Sequence, residues 1–148
     1  MTLSETLPPD AEAAFATALL AGLRDDPDLR ALLGTPPRLF DGETEAPAYP
    51  FALLERHEAT PADASRVAAT EHRLTLSVRT REAGRAGAMA ALGVLRRAVD
   101  GLDLRLQGQR VVLLHVVYAD VLRTQDLRAF RGLLRVRAVT EAVAEAET

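Results

Sequence analysis

The chain of 148 residues contains no cysteine, which excludes disulfide bonds, thiolate metal sites and cysteine nucleophiles. It also contains no lysine and no tryptophan, so all 18 basic residues are arginines, and only 4% of the residues are aromatic. A protein that grips nucleic acid usually has a basic excess on one face and aromatic rings on which bases stack. The net charge of −3 and the scarcity of aromatic residues therefore argue against nucleic-acid binding as the main activity.

No hydrophobic run approaches the ~20 residues of a membrane-spanning helix. The longest aliphatic stretch, residues 111–117, is interrupted by His115. The N-terminus has neither the basic region nor the apolar segment of a signal peptide. We therefore expect a soluble, non-secreted protein without membrane contact. The length predicts one domain over residues 1–148 with flexible ends at 1–9 and 142–148.

Residues 71–95 change their hydrophobic period halfway. Apolar residues alternate with polar ones through residues 71–81, which predicts a strand buried on one face. Apolar residues then recur every three or four positions through residues 85–99, which predicts an amphipathic helix. The buried positions are Leu74, Leu76 and Val78 in the strand and Ala88, Ala91, Leu92, Leu95 and Val99 in the helix.

Further helices and strands are predicted on both sides of this segment. A helix capped by Asp10 runs through Arg24, and a short helical turn over residues 28–33 is closed by Gly34. Predicted strands cover residues 38–40, 50–58, 102–106, 110–119 and 130–140, and predicted loops cover residues 41–49 and 59–70. The fold class is therefore α+β: a single domain with a mostly antiparallel mixed β-sheet packed against two main α-helices.

The strand at residues 110–119 is apolar on both faces, which predicts a central strand covered on both sides. We expect Val112, Leu114 and Val116 to pack against the helices. The opposite face would be covered by protein in the assembled state, because a row of exposed branched aliphatic residues is an unusual surface. That face comprises Val111, Leu113, His115 and Val117.

Two histidines are the only candidates for a metal site. His57 and His72 flank the hairpin loop and each has a glutamate beside it, a set that suits zinc. The alternative is a hairpin base with solvated cross-strand charges. His115 is expected to be a hydrogen-bonded strand histidine. Because no nucleophile motif and no distinct carboxylate pair is present, we predict no catalytic residue, no metal, no cofactor and no enzymatic activity.

The sequence Gly84-Arg85-Ala86-Gly87 lies between the predicted strand and helix. Two glycines and an arginine at a helix N-terminus would suit a phosphate, and Gly-x-x-Gly is the backbone clamp of KH domains. That clamp connects two helices, however, whereas this segment follows a strand. An ordinary tight turn is the alternative, and an RNA-binding module would also use Arg73, Arg79, Arg135 and Arg137.

The chain resembles the tail-completion or tail-terminator family of siphophages, prophages and gene transfer agents. The resemblance rests on an ordered set of segments: residues 23–29, 32–34, 38–41, 49–51, 71–78, 81–84, 106–112 and 132–138. The set covers nearly the whole chain, although no single motif in it is diagnostic. The chain departs from the family at Arg79, where a tryptophan is frequent. It also departs at residues 124–130, where the family commonly has an Asp/Gly-rich link.

The resemblance implies a structural virion protein that forms a hexameric ring on the tail tube. Such a ring would stop tube polymerisation, contact the head-side connector and let DNA pass unread, after assembly in the bacterial cytoplasm. The implied partners are further copies of the chain, the tail tube protein and the connector or stopper protein. Alternatives are another neck component of the same particle, the RNA-binding module and a metal hydrolase at His57 and His72. Subunit or tube contacts are expected at Arg73, Arg79, Arg135, Arg137, Val111, Leu113 and Val117.

Overall fold

A computed structural model describes residues 11–42, 44–45, 47–62 and 68–143. These residues form three helices, α1 (Ala11–Arg24), α2 (Pro27–Leu33) and α3 (Gly84–Asp100). They also form five strands, β1 (Leu39–Asp41), β2 (Phe51–Ala62), β3 (Ala69–Thr80), β4 (Gln109–Arg123) and β5 (Phe130–Ala142). The predicted cap Asp10, residues 1–9 and 144–148 of the predicted flexible ends, and residues 63–67 of the predicted loop lie outside the described residues.

The strands form one mixed sheet in the order β1-β2-β3-β5-β4. β1 pairs with β2 in parallel, and the remaining neighbours are antiparallel. The predicted α+β class is therefore confirmed. The predicted strand at residues 102–106 is wrong, because only Leu106 forms a bridge, to Gln109. The leucines at 102, 104 and 106 instead pack half-buried against the core while the chain turns into β4.

The helices cover one face of the sheet. α1 contacts β1 and β2, whereas α3 contacts β3, β5 and β4. The residues predicted to be buried on α3 are buried, because the apolar stripe of this helix lies on the sheet. Asp26 begins α2 by accepting a hydrogen bond from the Leu29 backbone N–H, at 3.0 Å. Gly34 ends α2 with a φ of 96°, a backbone conformation that favours glycine.

The β2–β3 hairpin is longer than predicted. Its ladder extends to the pair Ala62↔Ala69, so half of the predicted loop at residues 59–70 belongs to the strands. The small and polar side chains in this region gave no hydrophobic signal. Their backbone groups are nevertheless satisfied by cross-strand pairing, which does not depend on side-chain polarity.

β4 is an edge strand, so the prediction of a central strand is wrong, whereas cover of its second face in the assembled state stays a prediction. Its register to β5 shifts between Val111 and Leu113 and again between Val116 and Tyr118. Each shift inserts one extra residue, so the two-residue alternation does not hold through the strand. As a result Val111 packs on the core side, whereas Val112 and Val117 are 53% and 54% exposed. The predicted faces of Val111 and Val112 are therefore corrected, and those of Leu114 and Val116 are confirmed.

Candidate functional site

The face of the sheet opposite the helices, which we call the open face, carries most of the residues expected at an interface. Pairing between β3 and β5 sets Arg73 opposite Arg137 and Arg79 opposite Arg131. Because side chains alternate across a strand, Arg135 lies on the same face as these four arginines. The strands thus bring the predicted arginines of two distant segments onto one surface.

Glu55 anchors two of these arginines near the β1 side of the sheet. Its carboxylate accepts hydrogen bonds from Arg131 Nε at 2.9 Å and from Arg79 at 3.1 Å. Burial alone would raise the pKa of Glu55, but the hydrogen bonds from these arginines outweigh it and lower the pKa to about 2. Arg79 is therefore held within the subunit by a charged network.

A second carboxylate, Glu71, binds the neighbouring pair of arginines. It accepts a hydrogen bond from Arg137 Nε, and an oxygen of the same carboxylate lies 3.4 Å from Arg73 Nη2. The hydrogen bond from Arg137 lowers the pKa of Glu71. The Arg73 side chain is 69% exposed, so it remains accessible to a partner despite this contact.

Arg135 differs from these residues because it has no carboxylate partner in the part of the chain that the structure describes. Its guanidinium carbon lies 4.9 Å from the centroid of the Tyr118 ring, a cation–π geometry. The Tyr118 hydroxyl in turn donates to Asp120 at 3.1 Å. This side chain is therefore positioned by an aromatic ring while its charge stays available.

These arginines border a shallow groove of about 530 Å³ on the open face. Its lining includes four arginines and one glutamate, together with Val117: Arg56, Arg73, Arg135, Arg137 and Glu58. A groove of this composition suits an acidic partner surface, since guanidinium groups bind carboxylates in a bidentate manner.

Exposed apolar residues lie beside the groove on β4. Val112, Val117, Tyr118 and Leu122 are exposed there, and Leu127 in the following turn is 67% exposed. No other described strand pairs along the outer edge of β4 beyond the single bridge at Leu106. Such an edge presents backbone N–H and C=O groups to a partner, so β4 has features of a contact surface.

His57 and His72 meet as the sequence suggested, but their neighbouring glutamates do not join them. His57 Nε2 and His72 Nδ1 are 2.8 Å apart, and His72 Nε2 is 3.1 Å from the Thr140 hydroxyl. The ring of His72 also stacks on Phe15, at 4.4 Å between centroids. Burial and the adjacent His57 lower the pKa of His72 to about 4.

The surroundings of the two histidines are those of a packed core. Both rings lie on the helix-covered face, whereas Glu71 ion-pairs with arginines of the open face. The described residues contain no group of three or more His, Asp or Glu side chains placed to hold a metal ion. His115 pairs with Arg137 across β4 and β5, and its ring has no hydrogen-bond partner within the described ranges, contrary to expectation.

Residues 84–87, of which the first and last are glycines, form the first turn of α3. Arg85 donates a hydrogen bond to the backbone carbonyl of Val121, at 3.2 Å, and so ties the helix to β4. The segment is therefore part of a strand-to-helix connection and does not join two helices as a KH clamp does. No helix in the described part of the chain has the length and apolarity to cross a membrane.

The structure thus separates the seven predicted interface residues into three sets. Arg73, Arg135, Arg137 and Val117 line the groove, and Leu113 lies half-buried further along the same face. Arg79 belongs to the Glu55 network, and Val111 lies on the other face of the sheet. Sequence reasoning missed Tyr118 and Arg131. Arg131 has the same strand parity as Arg135 and Arg137, a signal that would have identified it.

Similarity to known proteins identifies this chain as a structural protein of phage-like tails. The family model of tail completion protein gp17 matches residues 17–141, and the chain belongs to this family. A solved structure described as the virion of a native gene transfer agent particle contains a similar chain. The two are 29% identical with a TM-score of 0.79, and the alignment covers 91% of this protein and 100% of that chain. No curated protein matches the sequence.

Proposed function

We propose that this protein forms a hexameric ring that caps the tail tube of a phage-like particle. The ring stops tube polymerisation, joins the tube to the head-side connector and lets DNA pass. The observation that carries this proposal is the family match over residues 17–141, supported by the likeness to a chain of a gene transfer agent virion. The proposed location is the head-side end of the tail, after assembly in the bacterial cytoplasm.

The charge of the chain is compatible with a DNA passage that does not retain DNA. Affinity for the phosphate backbone arises from arginines that neutralise phosphates. Here several arginines of the open face are already paired with Glu55, Glu71 and Glu141 of the same chain, and the net charge is −3. We therefore assign the exposed arginines of the open face to contacts with other protein surfaces.

Subunit or tube contacts are proposed at the groove and at β4. Arg135, Arg73 and Arg137 supply charge, and Leu113 and Val117 supply apolar surface. We assign Arg79 a supporting role, because its contact with Glu55 is three-quarters or more buried on both sides. Ion pairs at such a surface set register and specificity more than affinity.

The proposal is tested by deleting the gene from the genome that encodes the parent particle and measuring tail lengths by negative-stain microscopy. Loss of the protein should give overlong tails that lack heads, and the purified protein should form rings on the open ends of isolated tubes. Complementation with the wild-type gene should restore normal tails. Headless tails of normal length would instead indicate another neck or connector component, and normal particles would contradict both assignments.

A further inference from the structure

The two sequence segments that contain the edge strands differ in charge. Residues 11–50, which include α1, α2 and β1, carry seven acidic and three basic residues, a net charge of −4. Residues 84–142, which include α3, β4 and β5, carry ten arginines and five acidic residues, a net charge of +5. β1 and β4 lie at the two opposite edges of the sheet, although α2 of the acidic segment contacts α3 of the basic segment.

The basic end contains the parts of the open face that are accessible to a partner: an arginine, exposed apolar side chains and a strand edge. Arg135 is free of carboxylates among the described residues and rests on Tyr118. Val117 lines the same groove as Arg135 and is 54% exposed, and Leu122, opposite Arg131 further along β4, is 41% exposed. The outer edge of β4 also offers backbone hydrogen-bonding groups. This end therefore combines apolar area, directed positive charge and open strand edge.

The acidic end has a matching recess. Asp41 at the end of β1 and Glu12 on α1 are exposed and border a cavity of about 400 Å³, whose lining also includes Glu55, Arg56 and His57. Neither carboxylate has an ion-pair partner in the described part of the chain. Both carboxylates act through space on His57, where they oppose the lowering of its pKa by burial. Two exposed carboxylates without an ion-pair partner among the described residues thus lie at the edge opposite β4.

We propose that the β4 end of one copy docks on the α1–β1 end of the next copy. The inference rests on the proposed ring and names the two surfaces that build it. Contacts between two different surfaces generate a closed ring when the rotation between subunits closes, whereas a β4-to-β4 contact stops at a dimer. A β4-to-β4 contact would also bring two ends of net charge +5 together, and like-charge juxtaposition is costly.

Two variants, each altered at one end, test this arrangement. The basic-end variant carries Val117→Asp and Arg135→Glu, and the acidic-end variant carries Glu12→Arg and Asp41→Arg. All four positions are exposed, so both variants should fold, which circular dichroism and thermal unfolding would verify. Ala90→Asp on the exposed side of α3 is the matched control. If the reversed acidic end does not fold, Glu12→Gln with Asp41→Asn replaces it.

Assembly is measured by analytical ultracentrifugation in solution and by microscopy on isolated tubes. Each variant alone should remain monomeric, whereas the control should form rings like the wild type. Mixing the two variants should restore association, because the intact acidic end of one fits the intact basic end of the other. The mixture would give a heterodimer, or an alternating ring if the reversed charges also pair.

The remaining outcomes contradict the inference in distinguishable ways. If both variants still form rings, or the acidic-end variant alone does, the interface is wrong while the ring stands. If the mixture stays monomeric, the two ends do not contact one another. If the wild type forms no ring in solution or on tubes, the proposed ring fails and this interface fails with it.

Discussion

The covered and open faces of the sheet share the same strands but are stabilised by different interactions. In β3, Leu74, Leu76 and Val78 face the helices and are at most 1% exposed. On the other face of the same strand, Arg73 and Arg79 contact Glu71 and Glu55. Burial of a leucine contributes about 1.5–3 kcal/mol, whereas an exposed ion pair contributes about 0–1 kcal/mol. The covered face thus supplies stability, and the open face supplies shape and charge for contacts.

The largest effect is expected on the covered face. Leu76→Ala should lower the free energy of unfolding by about 2–5 kcal/mol, because it leaves a cavity in the core between the sheet and the helices. The adjacent Thr75→Ala on the open face is the matched control and should change it by less than about 1 kcal/mol. Urea unfolding at neutral pH measures both. Equal effects would break the distinction between the two faces.

Acid should lower the stability of the protein first through His72, which lies on the covered face. The pKa of His72 is lowered to about 4 in the folded protein from 6.5, so the unfolded chain binds its proton at higher pH. The contribution of neutral His72 to the free energy of unfolding is therefore fully present above pH 6.5. It is lost as the pH approaches 4, which lowers the free energy of unfolding by up to about 3 kcal/mol.

Urea unfolding between pH 7 and 4 measures this dependence. His115→Gln, a histidine of the open face, should leave the dependence unchanged, whereas His72→Leu should remove most of it. A flat profile in the wild type would show that folding does not lower the pKa of His72.

A smaller loss is expected from the Glu55 network of the open face. Glu55→Gln should cost about 1–3 kcal/mol, because Arg79 and Arg131 lose their charged acceptor at a largely buried site. The control Glu58→Gln, whose pair with Arg56 is exposed, should cost less than about 0.5 kcal/mol.

The acid dependence of the Glu55 contribution lies in a different pH range. The pKa of Glu55 is lowered to about 2 from 4.5, so its contribution is present above pH 4.5 and is lost towards pH 2. A wild-type stability that is constant across this range, relative to Glu55→Gln, would contradict the network.

The smallest effect on stability is expected at the groove itself. Arg73→Gln should change the free energy of unfolding by less than about 0.5 kcal/mol, since its side chain is 69% exposed. The same variant should reduce ring formation or tube capping if the groove is a contact surface. Unchanged assembly would remove Arg73 from the proposed interface.

Local periodicity determined the parts of the fold in which one rule holds from end to end. The alternation of Leu74, Leu76 and Val78 and the stripe from Ala88 to Val99 both predicted the observed faces, because regular strands and helices repeat with constant periods. The ordered segments also led to the family that the match over residues 17–141 establishes.

Tertiary structure alone decided what depends on neighbours distant in sequence. The bulges at Val112 and Val117 and the edge position of β4 follow from its pairing with β5, which no local pattern encodes. Pairing also decided that Arg79 meets Glu55, 24 residues away, while Arg135 meets Tyr118. Hydrophobic period specifies which side of a strand is buried. The partners of a charged side chain are specified by which strands lie side by side.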